Sequence, residues 1–97
     1  MEGGAVAVNA KVKFILGEDK HIMLKVRAPN DEPFTITSAS YTFSRYGKVE
    51  AEGSCDINDH YLDIKLSPKE KSRSYELEVT YTVPDSTRKA RIEVEVL

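Results

Sequence analysis

Apolar and polar side chains alternate with a period of two along most of the chain, the pattern of strands with one face in a core and the other in water. It is most regular near the C-terminal end, where Tyr75, Leu77, Val79, Tyr81 and Val83 alternate with Glu76, Glu78, Thr80 and Thr82. After Pro84-Asp85-Ser86-Thr87 the alternation resumes, with Ala90, Ile92, Val94 and Val96 on one face and Lys89, Arg91, Glu93 and Glu95 on the other. Proline fixes φ and aspartate bonds to its own backbone, so the two runs predict a hairpin. Leu62, Ile64 and Leu66, bounded by Asn58-Asp59 and Ser67-Pro68, predict a short strand. Upstream, Val12, Phe14 and Leu16 lead through Gly17-Glu18-Asp19-Lys20 into Ile22, Leu24 and Val26, which predicts another hairpin-like pair.

The middle of the chain changes parity. Phe34 and Ile36 fall on even positions whereas Ala39, Tyr41 and Phe43 fall on odd ones, so a bulge or bend is expected near Thr37-Ser38. Beyond Arg45-Tyr46-Gly47-Lys48, the positions Val49, Ala51, Cys55 and Ile57 keep odd parity, with Gly53 expected to break the run. Seven strand segments result, over 11–16, 21–27, 34–44, 48–57, 60–66, 74–83 and 89–96, and no stretch carries a helical period. Regular turns between short strands predict an all-β, immunoglobulin-like two-sheet antiparallel β-sandwich of about seven strands. Residues 1–10 are expected to be a flexible N-terminal arm, in which Val6 and Val8 could extend the first strand, and 11–97 a single domain.

Tyr75 sharpens this expectation. In immunoglobulin-type sandwiches a tyrosine near the start of the sixth strand anchors a corner two residues before the second cysteine position, and here Leu77 stands at that position. Leu24 and Leu77 would then fill the places of the inter-sheet disulfide, with Tyr41 or Phe43 replacing the absent tryptophan. An ordinary core tyrosine is the alternative.

Composition narrows the function classes. The 97 residues, 40% of them hydrophobic, suffice for one core. With 14 basic and 16 acidic side chains the formal charge is −2, which gives no long-range pull on a polyanion, so nucleic acid is not an expected partner. No apolar run approaches the ~20 residues of a membrane span. Met1-Glu2-Gly3-Gly4-Ala5-Val6-Ala7-Val8 has neither the basic start nor the apolar stretch of a secretory signal, and the single Cys55 suits a reducing compartment. The expectation is a chain that is cytoplasmic at synthesis and can later be built into a larger particle.

Candidate chemistry is sparse. His21 and His60 lack the close spacing of transition-metal ligands and read as exposed strand-end residues. Asp56, Asn58 and Asp59 resemble the start of a calcium loop without its glycine and terminal glutamate, and read as a turn. Cys55 shares the apolar face with Ile57 and reads as a buried thiol, not a nucleophile. No serine lies in a nucleophile elbow and no glycine-rich loop precedes a helix, so no catalytic, cofactor-binding or metal residues are assigned, and no enzyme is expected.

Lys69, Lys71 and Arg73 form a basic loop interrupted by Glu70 and without interleaved aromatics, which reads as a solvated loop. A four-residue turn at 84–87 would set Glu78 opposite Glu93 and Glu76 opposite Glu95, so either the register differs or an acidic surface is held against wrong pairing or for a basic partner. Of the four tyrosines besides Tyr75, Tyr41 and Tyr81 have core parity, which leaves Tyr46 and Tyr61 as candidates for stacking on a sugar ring.

The stretch Ile36-Thr37-Ser38-Ala39-Ser40-Tyr41-Thr42-Phe43, then Gly47-Lys48, Gly53-Ser54-Cys55-Asp56-Ile57, Tyr75 to Val83 and Thr87-Arg88-Lys89-Ala90-Arg91, resembles small immunoglobulin-like proteins encoded in phages and prophages of Gram-positive bacteria. Those are virion accessory, tail or baseplate-type modules. The resemblance covers roughly residues 34–97 and implies a non-enzymatic structural or adhesive role, in which strand edges and loops dock on a protein partner or a further copy. A carbohydrate- or cell-surface-binding module is the alternative expectation, with a glycan as its ligand. The resemblance supplies no site residues.

Overall fold

A computed structural model describes residues 11–26, 34–84 and 86–97. The expected N-terminal arm lies outside the described residues, as does the end of the second expected segment at Arg27. Among the described residues eight strands form: β1 (Lys11–Phe14), β2 (Lys20–Lys25), β3 (Ser38–Arg45), β4 (Lys48–Ser54), β5 (Asp56–Asn58), β6 (Tyr61–Leu66), β7 (Ser72–Val83) and β8 (Ser86–Val96). They make two sheets, ordered β1-β8-β7-β3-β4 and β2-β6-β5. The all-β, two-sheet expectation therefore holds, with eight strands in place of seven and one parallel pair, β1 with β8. No helix among the described residues is long and apolar enough to cross a membrane.

Period-two alternation builds the core directly. Leu77, Val79, Tyr81, Ile92 and Val94 from the larger sheet pack with Leu62, Ile64 and Leu66 from the smaller, and the most exposed of these eight retains 2% of its surface. Leu24 and Leu77 both lie in this cluster, and Phe43 supplies the large core aromatic on β3, while Tyr41 is half-buried and packs against the cluster's edge.

Several local expectations are corrected. β1 and β2 are not a hairpin: Phe14 and Ile22 both face the core, but from opposite sheets, and residues 15–19 carry the chain across. Gly17 at φ 100° makes that crossing turn, a conformation that side-chain-bearing residues rarely adopt. Asp19 pins it, accepting a hydrogen bond from Ser67 at 2.9 Å and pairing with Lys65 at 3.3 Å. Gly53 does not break its strand; it lies inside β4 opposite Tyr41, whose ring covers it, and the chain leaves the sheet at Cys55 instead. Cys55 is buried, its N–H donating to the Ala39 carbonyl at 3.0 Å.

The irregularity expected near Thr37-Ser38 is present. Ile36 is buried ahead of the strand, and the Thr82 carbonyl receives the Thr37 N–H at 2.9 Å while Thr82 itself is the register partner of Ser38. A second irregularity lies in β4, where Phe43 pairs with Ala51 but Ser44 pairs with Val49, so Glu50 is an extra, bulged residue. The bulge turns Val49 outward, to 49% exposure, despite its shared parity with the inward Ala51.

The β7–β8 hairpin closes more tightly than a four-residue turn allows. Val83 pairs with Ser86, which sets Glu78 opposite Arg91 and Glu76 opposite Glu93. The register therefore differs from the one that would oppose both pairs of glutamates. Lys11 on β1 lies 3.9 Å from Glu93 and 3.3 Å from Glu95, so a lysine flanks the like-charge row.

Candidate functional site

One end of the sandwich gathers the β3–β4 turn and the loop from β6 into β7, and an open cleft of about 470 Å³ lies between them. Arg45 and Lys48 close the turn as a register pair, leaving Tyr46 and Gly47 as a two-residue loop with φ of 54° and 77°. Positive φ at both positions is the requirement of the tight hairpin turn whose twist matches the strands, and it favours asparagine or glycine first and glycine second. Tyrosine in the first position carries a conformational cost. Its ring is 80% exposed.

Beneath the turn the bulge directs Glu50 to two donors. The Tyr75 hydroxyl donates to Glu50 Oε1 at 2.5 Å, and the Lys69 N–H donates to Oε2 at 3.2 Å. The Tyr75 hydroxyl is thus spent on a side chain of β4, with the Glu70 backbone as a minor influence on its oxygen. Burial, reinforced by the neighbouring Glu50 carboxylate, pushes the Tyr75 phenol up to about 12. Its ring stacks on Phe43 with centroids 4.5 Å apart and planes 9° from parallel, tying the loop to the core.

Above this floor the guanidinium of Arg45 lies 5.8 Å from the Tyr46 ring, 5.5 Å from the Tyr75 ring and 3.9 Å from Glu70. Ser74 above all, opposed by desolvation and helped by Ser72 and the Arg45 charge, holds the Tyr46 phenol below its usual range. Val49 and the side chains of Lys48 and Lys69 complete the walls. The cleft thus presents donors and apolar surface, with the Glu50 carboxylate at its floor already engaged and the Glu70 carboxylate beside Arg45.

The other sequence candidates are dispersed. His21 is exposed on β2, with Nδ1 2.8 Å from Asp63 Oδ1. His60 departs from the expected exposed residue: it is half-buried, stacked on Phe34 with centroids 4.2 Å apart, its Nε2 3.2 Å from the Phe34 carbonyl. Asp56 and Asn58 belong to β5, and Asp59, at φ 55°, opens the two-residue turn into β6. No group of three potential metal ligands converges among the described residues. Cys55 is buried as expected, and burial, with Asp56 adjacent, raises its thiol to about 11.

Tyr81 is buried and Tyr61 is 39% exposed, so Tyr46 and Tyr61 are the two surface tyrosines foreseen. They do not form one platform. Tyr61 begins β6, whereas Tyr46 lies at the end of the sandwich where β6 finishes, five residues or roughly 17 Å along the strand. Lys71 and Arg73 are exposed in the segment that follows the cleft-lining Lys69-Glu70. Arg45 and Glu50 carried no chemical signal in the sequence, because a bulge residue between two apolar neighbours looks like an ordinary outward strand position. No family model and no curated protein matches the chain.

Proposed function

We propose that the protein is a non-enzymatic structural or interaction module that docks through the β3–β4 turn and the β6–β7 loop. The observation that carries this reading is Tyr46. A large ring held in water on a conformation unfavourable to it costs stability on its own, and such costs persist where a contact uses them. A projecting tyrosine beside an arginine is also the composition of an interface anchor.

The edges support loops over strand addition as the docking element. β1 carries Lys11 and Lys13, β2 carries Lys20 and Lys25, β4 is bulged and β5 is three residues long. Each of these features discourages edge pairing. The scaffold reads as immunoglobulin-type, since β2-β6-β5 take the places of strands B, E and D and β8-β7-β3-β4 those of G, F, C and C′. The sequence resemblance makes a phage-derived virion accessory or tail-associated protein the setting of choice.

Replacing Tyr46 with alanine should leave the fold intact and release the protein from its assembly. Mass spectrometry of particles purified from an induced host should find the protein in them, and its consistent absence would remove the phage setting. A glycan-binding module is the second reading, favoured by the same exposed ring. It predicts that Tyr46→Ala abolishes retention on cell-wall material while Tyr61→Ala, at the far end, does not.

A further inference from the structure

We propose, building on the docking role of this end of the sandwich, that the cleft receives an acidic, extended segment of a protein partner. Among the described residues elsewhere, Lys11, Lys20, Lys65, Lys89 and Arg91 each hold a carboxylate at 2.9–3.6 Å, while Lys13 and Lys25 hold none. At this end the unpaired cations are concentrated. The side chains of Lys48, Lys69, Lys71 and Arg73 make no ion pair among the described residues, and Arg45 has only Glu70, at 3.9 Å. The chain as a whole carries a formal charge of −2, so this local surplus arises from placement and not from composition.

The chemistry of the free groups selects the ligand. Glu50 spends one oxygen on Tyr75 and the other on the Lys69 N–H, and the second lining carboxylate, Glu70, faces Arg45 at 3.9 Å, so the groups left over in the cleft are mainly the donors and positive charges of Lys48 and Lys69. A neutral sugar, which brings hydroxyls needing acceptors as well as donors, meets few acceptors here. A ligand rich in carboxylates meets guanidinium and ammonium groups suited to it. The cations are spread over a turn and a separate loop along an open cleft, a layout for an elongated ligand. Tyr46, 80% exposed, and Val49, 49% exposed, stand among them and add apolar contacts. Acidic side chains interspersed with apolar ones answer both features, whereas a purely charged polymer leaves the tyrosine and valine unused.

The test is an NMR titration of the isotopically labelled full chain with a synthetic peptide alternating glutamate and valine. Amide shifts should concentrate at 45–50 and 69–73, and the affinity should fall steeply as salt rises from about 50 to about 500 mM. The double variant Lys48→Glu/Lys69→Glu should bind at least about tenfold more weakly, equivalent to one factor of ten in the equilibrium constant. Lys71→Glu/Arg73→Glu serves as a second variant if the first loses its melting transition. Shifts elsewhere, unchanged affinity in the folded variants, or equally tight binding of inorganic polyphosphate at the same amides would each overturn the assignment. The docking role is separable. A purified partner whose binding depends on Tyr46 but is untouched by charge reversal would retain that role while excluding the acidic segment.

Discussion

Burial governs the two most perturbed groups, and both make the fold sensitive to alkali. Cys55 is raised from 9.0 to about 11, chiefly by desolvation, and Tyr75 from 10.0 to about 12, by desolvation and then by Glu50. The folded state therefore holds both protons more tightly than the unfolded chain. The stabilisation is complete below the unfolded values and is lost as pH rises through the folded ones. Denaturant titrations should show the unfolding free energy declining from about pH 9 and more steeply beyond about pH 10; a level profile to about pH 11 would contradict the assignment. A thiol displaced by about two units also exposes roughly a hundredfold less thiolate at neutral pH, so Cys55 should react slowly with disulfide reagents until the protein unfolds.

The glycines and Tyr46 allow a comparison of opposite signs. Gly47 sits at φ 77°, and a β-carbon placed on it would find no atom within 4 Å, so Gly47→Ala is penalised by the backbone alone, by about 1 kcal/mol. Gly53 has an ordinary strand backbone, and its new carbon would meet Tyr41 Cε1 at 3.5 Å, normal contact. Gly53→Ala should thus be neutral or stabilising by up to about 1 kcal/mol. Tyr46→Asn should raise the melting temperature by a few degrees while weakening docking, because asparagine accepts the turn's φ and the ring is what a partner would grip. Thermal melts of the three variants compare them directly.

At the scale of elements, the sequence revealed which strands exist better than how they pair. Alternation in Tyr75–Val83 and in Ala90–Val96 marks both arms of the last hairpin, but whether its loop has two residues or four shifts the register by two, and both choices preserve the core face. The like-charge conflict among Glu76, Glu78, Glu93 and Glu95 was the legible hint that the longer turn is wrong. In the observed register Arg91 donates to Glu78 at 2.9 Å, and Arg91, with Lys89, holds the Glu78 carboxyl below its usual range. Glu50 was illegible for a different reason: a bulge is visible only through the partner strand, here Phe43–Ala51 and Ser44–Val49. The remaining Glu76–Glu93 pair depends on β1 for charge balance. Lys11→Glu should therefore destabilise the sheet by about 0.5–1 kcal/mol at low salt, and by less at high salt, in urea denaturation at two ionic strengths.

At the scale of the whole molecule, the first described strand pairs in parallel with the last, Lys11 through Phe14 beside Glu93 through Val96. Local alternation could not disclose this, because Val12 and Phe14 look alike whether their strand joins β2 or β8. The ladder continues beyond the strands, with the Leu97 N–H donating to Phe14 at 2.9 Å and the Leu16 N–H to Leu97 at 2.8 Å. Closing such a long loop is entropically costly and rewarded only once the β7–β8 hairpin, joined to β3, gives β1 an edge to join. β1 should accordingly dock late, after the rate-limiting step. Phe14, 1% exposed, is the probe, and Phe14→Ala should cost about 3–5 kcal/mol through the cavity it leaves. If β1 docks after the transition state, that loss falls on the unfolding rate and leaves the folding arm of the denaturant chevron almost unchanged. A folding rate slowed in proportion to the lost stability would instead place β1 in the nucleus, and residues 11–14 would then have to meet residues 93–96 before the sandwich forms.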